Sequence, residues 1–390
     1  MGATVVTTMT AISIVPPARA TEWDITPRAS LGLEYVDNPL LAPPSDPNRY
    51  TSGTEDLTSE LSAGVVRHAD RLDLTIDPRV YFARYRYNQL LNQNNEYLDI
   101  ASAYKAESST WSAGINAARD TTLTSEIGLT GLTNANRRHE SLAVTLGPTV
   151  QITERLSASA QMLWSANHYD DATHTGLVDY RYSSADGKGS YALSERTTLA
   201  IDASVGQSSV SQLDTRTTNY SLDASVTRLL SELWTITASL GPSRVESDAG
   251  SENGVVYGVN AQRSGELVNF GAGASRAVIP TGRGTLTKRD QALLSVGDAL
   301  TEQLTIGLSG QLSQNRDLLT TFGGGTSPYT VRYYSVEIDC QWRFAPSWST
   351  SLALQDQRQF VSSSPSPTSI AQGYRANISI VWSGFPYRIH

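Results

Sequence analysis

Cysteine is all but missing from this chain: Cys340 stands alone among 390 residues. That excludes an internal disulfide framework and a multi-cysteine zinc site, and it leaves Cys340 as a small apolar side chain on an apolar face. Long hydrophobic runs are missing too. Only 39% of the residues are hydrophobic, and no stretch of about 18 apolar residues exists to cross a bilayer as a helix. A helical membrane protein is excluded. Six Phe are outnumbered by 18 Tyr and seven Trp, so most aromatics are amphipathic rings, the kind enriched where a membrane meets water.

What is present is alternation. From Tyr334 to Phe344 the residues Tyr334, Val336, Ile338, Cys340, Trp342 and Phe344 alternate with Ser335, Glu337, Asp339, Gln341 and Arg343. One face of this strand is apolar with aromatics at both ends, and the other needs water or a polar lumen. Its eleven residues are about the length that crosses a bilayer when tilted, which favours a membrane barrel over a soluble sandwich. The design recurs from Ile25 to Tyr35, Leu57 to Val65, Leu72 to Phe82, and on through Leu156–Trp164, Leu199–Val205, Trp234–Leu240, Val268–Ala274 and Leu304–Leu312 to Ala376–Trp382. No helical spacing of comparable length competes. Pro78 interrupts one such strand and predicts a bulge or a break in the ladder there.

Connections come in two kinds. Short links such as His68 to Arg71, Thr153–Arg155, Ser194–Arg196 and Ala345–Ser347 alternate with longer polar ones: Thr121 to Arg138, Tyr169 to Gly176, Ser247 to Gly254, Ile279 to Lys288, Leu318 to Pro328 and Ser362 to Gln372. Short periplasmic turns against longer extracellular loops are expected of an outer-membrane barrel. The expectation is an all-β, transmembrane, antiparallel up-and-down β-barrel of about 18 strands, with 16 the alternative under the even-number rule. A barrel this wide holds water unless a segment plugs it.

The first twenty residues read as a secretory signal peptide, uncharged and small or apolar from Ala3 to Val15, with Ala18-Arg19-Ala20 as the cleavage pattern. A basic n-region is missing, so the true start is expected upstream of Met1. Residues 21–390 then form one barrel domain. Removing residues 1–20 takes away one cation, Arg19, so 29 basic residues face 38 acidic ones, a net charge of −9 (29 − 38). This balance argues against a nucleic-acid partner.

Trp23-Asp24-Ile25-Thr26-Pro27 and Leu33-Glu34-Tyr35-Val36-Asp37-Asn38-Pro39, followed by hairpins with Glu-containing turns, resemble the outer-membrane β-barrel porins of the second type and related barrels found with exopolysaccharide or exosortase systems in Gram-negative bacteria. The resemblance covers roughly Trp23 to Trp382. It implies a barrel without catalytic residues or cofactors, held in outer-membrane lipid, handled by barrel-insertion machinery, and passing a polar solute or a polysaccharide. One departure is that the last strand is expected to end at Trp382, with Ser383–His390 running on as a tail where such barrels end on an aromatic.

The candidate lumen residues are Arg28, Glu34, Glu60, Asp73, Asp77, Arg79, Asp202, Asp223, Glu337, Asp339 and Arg343. Acids outnumber bases among them, which points to a neutral or cationic solute. The densest chemical constellation is His168, Asp170, Asp171 and His174, able in principle to hold a divalent metal or form an acid–base pair, against the plain reading of a solvated external loop. A hydrolase built on His139 and a serine is the weaker enzymatic alternative. Inward strand glycines such as Gly271 and Gly273, and the Gly323-Gly324-Gly325 tip, precede no helical pattern and make no phosphate cradle. Beside the channel reading stands a barrel that serves as a scaffold for its loops.

Overall fold

The computed structural model describes residues 22–44, 53–130, 136–171, 176–210, 212, 214–318, 330–363 and 366–389. The signal-peptide segment, His174 and the Gly323–Gly325 tip lie outside them. The long strands are β1 (Glu22–Val36), β2 (Thr54–His68), β3 (Leu72–Tyr85), β4 (Gln93–Lys105), β5 (Ser109–Thr121), β6 (Arg138–Gln151), β7 (Leu156–Tyr169), β8 (Tyr180–Ser194) and β9 (Thr197–Val210). They continue as β10 (Thr215–Leu229), β11 (Trp234–Ser247), β12 (Gly250–Arg263), β13 (Val268–Pro280), β14 (Leu286–Ala299), β15 (Leu304–Asp317), β16 (Thr330–Ala345), β17 (Trp348–Ser363) and β18 (Ser366–Ser383). Each pairs antiparallel with the next, and β18 pairs back onto β1 from Arg28↔Ser383 to Val36↔Arg375, which closes the ring. Closure leaves no long strand without a neighbour on both sides, although β12 and β13 pair only from Tyr257↔Arg276 to Arg263↔Phe270. A short β19 (Tyr387–Ile389) pairs with Trp23, Asp24 and Ile25. The expected free tail is thereby corrected: the chain returns to cap the part of β1 that β18 leaves unpaired.

Two periods of side chains alternate along every strand, and exposure separates them. On β1, Leu31 and Leu33 are 57% and 63% exposed while Glu34 is 7% exposed, so the apolar row faces outward and the polar row inward. The same outward exposure of large apolar residues runs from Leu57 and Leu61 through Ile201 and Leu240 to Ile338, Ile378 and Ile380. A soluble protein would bury such a surface. Among the described residues no helix is long and apolar enough to cross a membrane.

The links sort by end. At one end they are tight, as at 69–71, 106–108, 195–196 and 346–347; at the other lie the wider connections, 37–53, 86–92, 122–137, 170–179 and 318–329. Two expected long loops are corrected: β11 and β12 are joined at 248–249, not across Ser247–Gly254, and β17 and β18 at 364–365, not across Ser362–Gln372. The Ser and Gly residues in these stretches read as loop but pair as strand. Between β13 and β14 the link also shrinks, to 281–285.

Proline marks each ladder interruption that occurs without slippage. Pairing of β2 with β3 stops at Ser62↔Arg79 and resumes at Val65↔Ile76 in the same register, so Pro78 breaks the ladder and makes no bulge. Its other side still pairs, with Leu98 opposite. Pro148 and Pro242 open the same two-residue gap between β6 and β7 and between β10 and β11, because a proline nitrogen has no proton to donate. Glycine precedes both. A Cβ at Gly147 would lie 2.2 Å from the Ala160 carbonyl oxygen and one at Gly241 2.0 Å from that of Leu222, so only glycine admits the close approach of the neighbouring strand at these gaps.

Candidate functional site

The inner wall carries the site. Register places all eleven predicted residues on inward rows, but they separate into groups with different surroundings. Glu34 stands opposite Asp56 across the β1–β2 ladder; both are buried, and Arg375 Nε lies 3.5 Å from Glu34 Oε1. Glu60 meets Arg79 at 3.9 Å, and the Arg79 guanidinium sits over the Tyr97 ring at 4.2 Å. Near the turn end Asp73 is bound by His68 at 2.9 Å and by Lys105 at 2.6 Å, while Arg343 donates to the Glu302 carbonyl at 2.9 Å. These two serve the turn end of the wall. Arg28 pairs in the ladder with Ser62 and Ser383 near the same end.

Like charges face one another on the remaining rows. Asp77 stands directly opposite Asp99, and Asp202 directly opposite Asp223; Lys188 is the cross-strand neighbour of Asp202, and Asn116 donates to Asp99. Glu337 and Asp339 follow each other on one inward row of β16. Directly opposed carboxylates destabilise a dry sheet, and they persist only where water or cations screen them. The alternation that singled out the predicted residues misses Asp56, Asp99, Asp186, Lys188, Arg289 and Arg375. Asp56 precedes Thr58 and Glu60 on the same inward row of β2, two residues before the first, and extending that row back from Glu60 was the available signal.

A segment of chain crosses the lumen at the wide-link end. Between β5 and β6 lie two single-turn helices, α1 (Thr122–Ser125) and α2 (Ile127–Thr130). Leu123 packs against the cluster of Leu40, Ala42, Ala83, Tyr85 and Leu91, and Ile127 against Leu41, Tyr333 and Ala371. Polar groups fix the far side: Gln359 donates to the Ile127 carbonyl at 2.6 Å, and Asn315 to those of Leu129 at 2.9 Å and Gly128 at 3.1 Å. Tyr169 donates to Glu126 Oε1 at 2.6 Å. Counted back through β1 and across the β1–β18 seam, Gln359 on β17 and Asn315 on β15 stand six and eight strands from β5 in a ring of 18. The segment therefore reaches nearly opposite wall. Within the expected Thr121–Arg138 loop, residues 122–130 are corrected from external loop to an inward crossing, because Leu123, Ile127 and Leu129 bury their side chains only by docking on the inner wall. Below it, toward the turn end, the inward rows with Asp99, Lys188, Asp202 and Asp339 stay open to solvent.

Of the enzymatic candidates, His174 lies outside the described residues, and the others are placed as follows. His168 faces outward at the end of β7 and bonds Asp179 at 2.7 Å, with Asp170 at 3.6 Å; Asp171 pairs with Arg137 at 3.1 Å. Among the described residues no group of three metal-ligating side chains forms. His139 has both ring nitrogens engaged, Nδ1 with Asp120 at 2.8 Å and Nε2 with Asn167 at 3.3 Å, and it stacks on Tyr169 at 4.7 Å. No nitrogen is left there for a serine.

No family model and no curated protein sequence matches the chain. Solved structures do. The ferric citrate transporter FecA in its unliganded form is 8% identical with a TM-score of 0.49, over 93% of this chain and 79% of that one. OccK2 (OpdF) of Pseudomonas aeruginosa is 11% identical with a TM-score of 0.48, over 93% and 98%, and OpdQ of the same organism is 13% identical with a TM-score of 0.45, over 94% and 98%. The likeness lies in the closed antiparallel barrel, and at this level it says nothing about what this chain binds or carries.

Proposed function

We propose that this protein is an outer-membrane channel for small polar solutes, neutral or cationic, with the segment 122–130 as its constriction. The observation that carries the reading is the pairing of a lipid-like exterior with opposed carboxylates inside: Asp77 against Asp99 and Asp202 against Asp223, in a wall whose outward rows are exposed leucine, isoleucine and valine. The aromatics support the membrane placement. Trp23, Trp111, Trp234, Trp342, Trp348 and Trp382 stand outward near the tight-turn end, as an interfacial girdle does. The wide-link end then faces outside. Oligosaccharide is the larger solute that the family resemblance suggests; passage of a long polysaccharide requires the crossing segment to leave the lumen.

Purified protein in vesicles should show a heat-dependent gel shift and admit small neutral sugars. In planar bilayers the current should favour cations, and Glu337→Gln with Asp339→Asn should move the reversal potential toward zero, since both acids lie on the inner wall. A soluble protein without a heat shift sinks the membrane reading. The docked segment also favours a second reading, a closed barrel acting as a scaffold for its loops; flux that stays absent after removal of the segment would establish that one instead.

A further inference from the structure

We propose that the outer end of the β13–β14 hairpin, residues 277–287, is a lid with two seats: the one it holds in this structure, inside the mouth of the barrel, and a second on the free edge of β12. What its movement does to current rests on the channel reading above. One seam of the wall singles out this hairpin. The ladder between β12 and β13 is the shortest between long strands, and it stops at Tyr257↔Arg276, so that Gly250–Val256 and Ala277–Pro280 have no partners across the seam.

The inner seat is shown by which rows touch. Val278 and Leu286 belong to the outward rows of their strands, yet with Leu318 they pack against Val245 on the inward row of β11. Lys288, on the outward row of β14, likewise reaches Glu252 on the inward row of β12 at 3.7 Å. Such contacts require the hairpin end to have passed inside the wall. Its tip lies further in: the Val178 amide donates to the Gly282 carbonyl at 2.7 Å, and Val178 sits in the β7–β8 link, six strands round the ring. A Cβ at Gly282 would lie 2.7 Å from the Tyr169 hydroxyl oxygen, and that hydroxyl donates to Glu126 of the crossing segment. The lid is therefore seated on the group that anchors the constriction.

The outer seat is already in register. In an antiparallel ladder alternate residues turn both amide and carbonyl toward one neighbour. The Ser264 amide bonds Leu233 on the β11 side, and the Ala299 amide of β14 bonds Leu267, so Ser251, Asn253 and Val255 of β12 and Val278 and Pro280 of β13 face the seam. Continuing the ladder past Tyr257↔Arg276 sets Val255 opposite Val278 and Asn253 opposite Pro280. Backbone groups left open beside lipid are costly, and zipping would pair those of Val255 and Val278. Pro280 has no proton to give the seam, which weakens the zipped arrangement and leaves the inner seat as the resting one. Asp290 clamps the point where zipping starts, taking Arg276 at 2.5 Å and Tyr257 at 3.4 Å.

Val255→Cys with Val278→Cys, in a Cys340→Ala background reconstituted in vesicles and oxidised, tests the second seat. Adding Gly282→Val should make the disulfide form about tenfold faster, the lower end of what an overpacked contact costs the inner seat. Once formed, the disulfide should raise single-channel conductance, and reductant should return it. A rate indifferent to Gly282→Val, or a disulfide that leaves the conductance unchanged, overturns the proposal. Each variant must keep its heat shift; should Gly282→Val lose it, Gly282→Ala meets the same Tyr169 contact and takes its place. A barrel that passes no current in either state is failure of the channel reading, and the rate of disulfide formation still decides whether the lid moves.

Discussion

Replacing Leu123–Thr130 with a short glycine-serine linker should raise single-channel conductance several-fold and weaken size exclusion of neutral sugars. The segment leaves the wall at β5 and is anchored by Asn315 and Gln359 nearly half the ring away, so it occupies the cross-section through which ions must pass. The 18 strands that set the barrel's width do not depend on it, since each pairs with its neighbours and β18 with β1 without any contribution from the segment. Weaker variants should act in proportion: Gln359→Ala removes one anchor and should produce noisy, flickering current more than a uniformly larger one. Bilayer recordings on the excised variant check this, and an unchanged conductance would mean that the constriction lies elsewhere.

The second large effect concerns the outward face. Ile338 is 53% exposed and sits between Leu308 and Leu354 on neighbouring strands. Ile338→Arg should cost about 2–4 kcal/mol of folding stability in lipid vesicles, the penalty for a cation near the midplane of a barrel. Asp339→Asn, one residue on, should stay within about 0.5 kcal/mol because its side chain is in water either way. Urea unfolding in vesicles measures both, and equal losses would show that the two faces of β16 do not differ as described.

The barrel was legible where one face is apolar, as in β1, β3 and β16. β8 offered little of such a face: its outward row reads Arg181, Ser183, Ala185, Gly187 and Gly189 before Tyr191. Outward β4 and β14 carry charge or amide only at one end, Asn94 and Glu96 before Leu98 and Ile100, and Lys288 and Asp290 before Ala292, Leu294 and Val296, so their period-two signal is shorter than that of β1 or β16. Asp99 on β4 was missed although it sits between the outward Leu98 and Ile100, because Asn94 and Glu96 shorten the apolar run before it. The crossing segment was read as solvent because Leu123, Ile127 and Leu129 sit among Thr, Ser and Gly. Whether three apolar residues in a link turn inward depends on Tyr333, Gln359 and Ala371, distant positions that no local pattern connects to them.

The lone cysteine gives the most direct test of the central claim, that a wet lumen lies inside a lipid-facing wall. Cys340 projects outward between Ile306 and Leu352, and its neighbour Asp339 projects inward. Protein reconstituted in vesicles is exposed to a charged, membrane-impermeant maleimide. Wild type should remain unlabelled at Cys340, while Asp339→Cys in a Cys340→Ala background should react readily. Labelling of Cys340 as fast as of the introduced thiol would contradict the lipid-facing wall, and a thiol at 339 that stays silent would contradict the wet lumen.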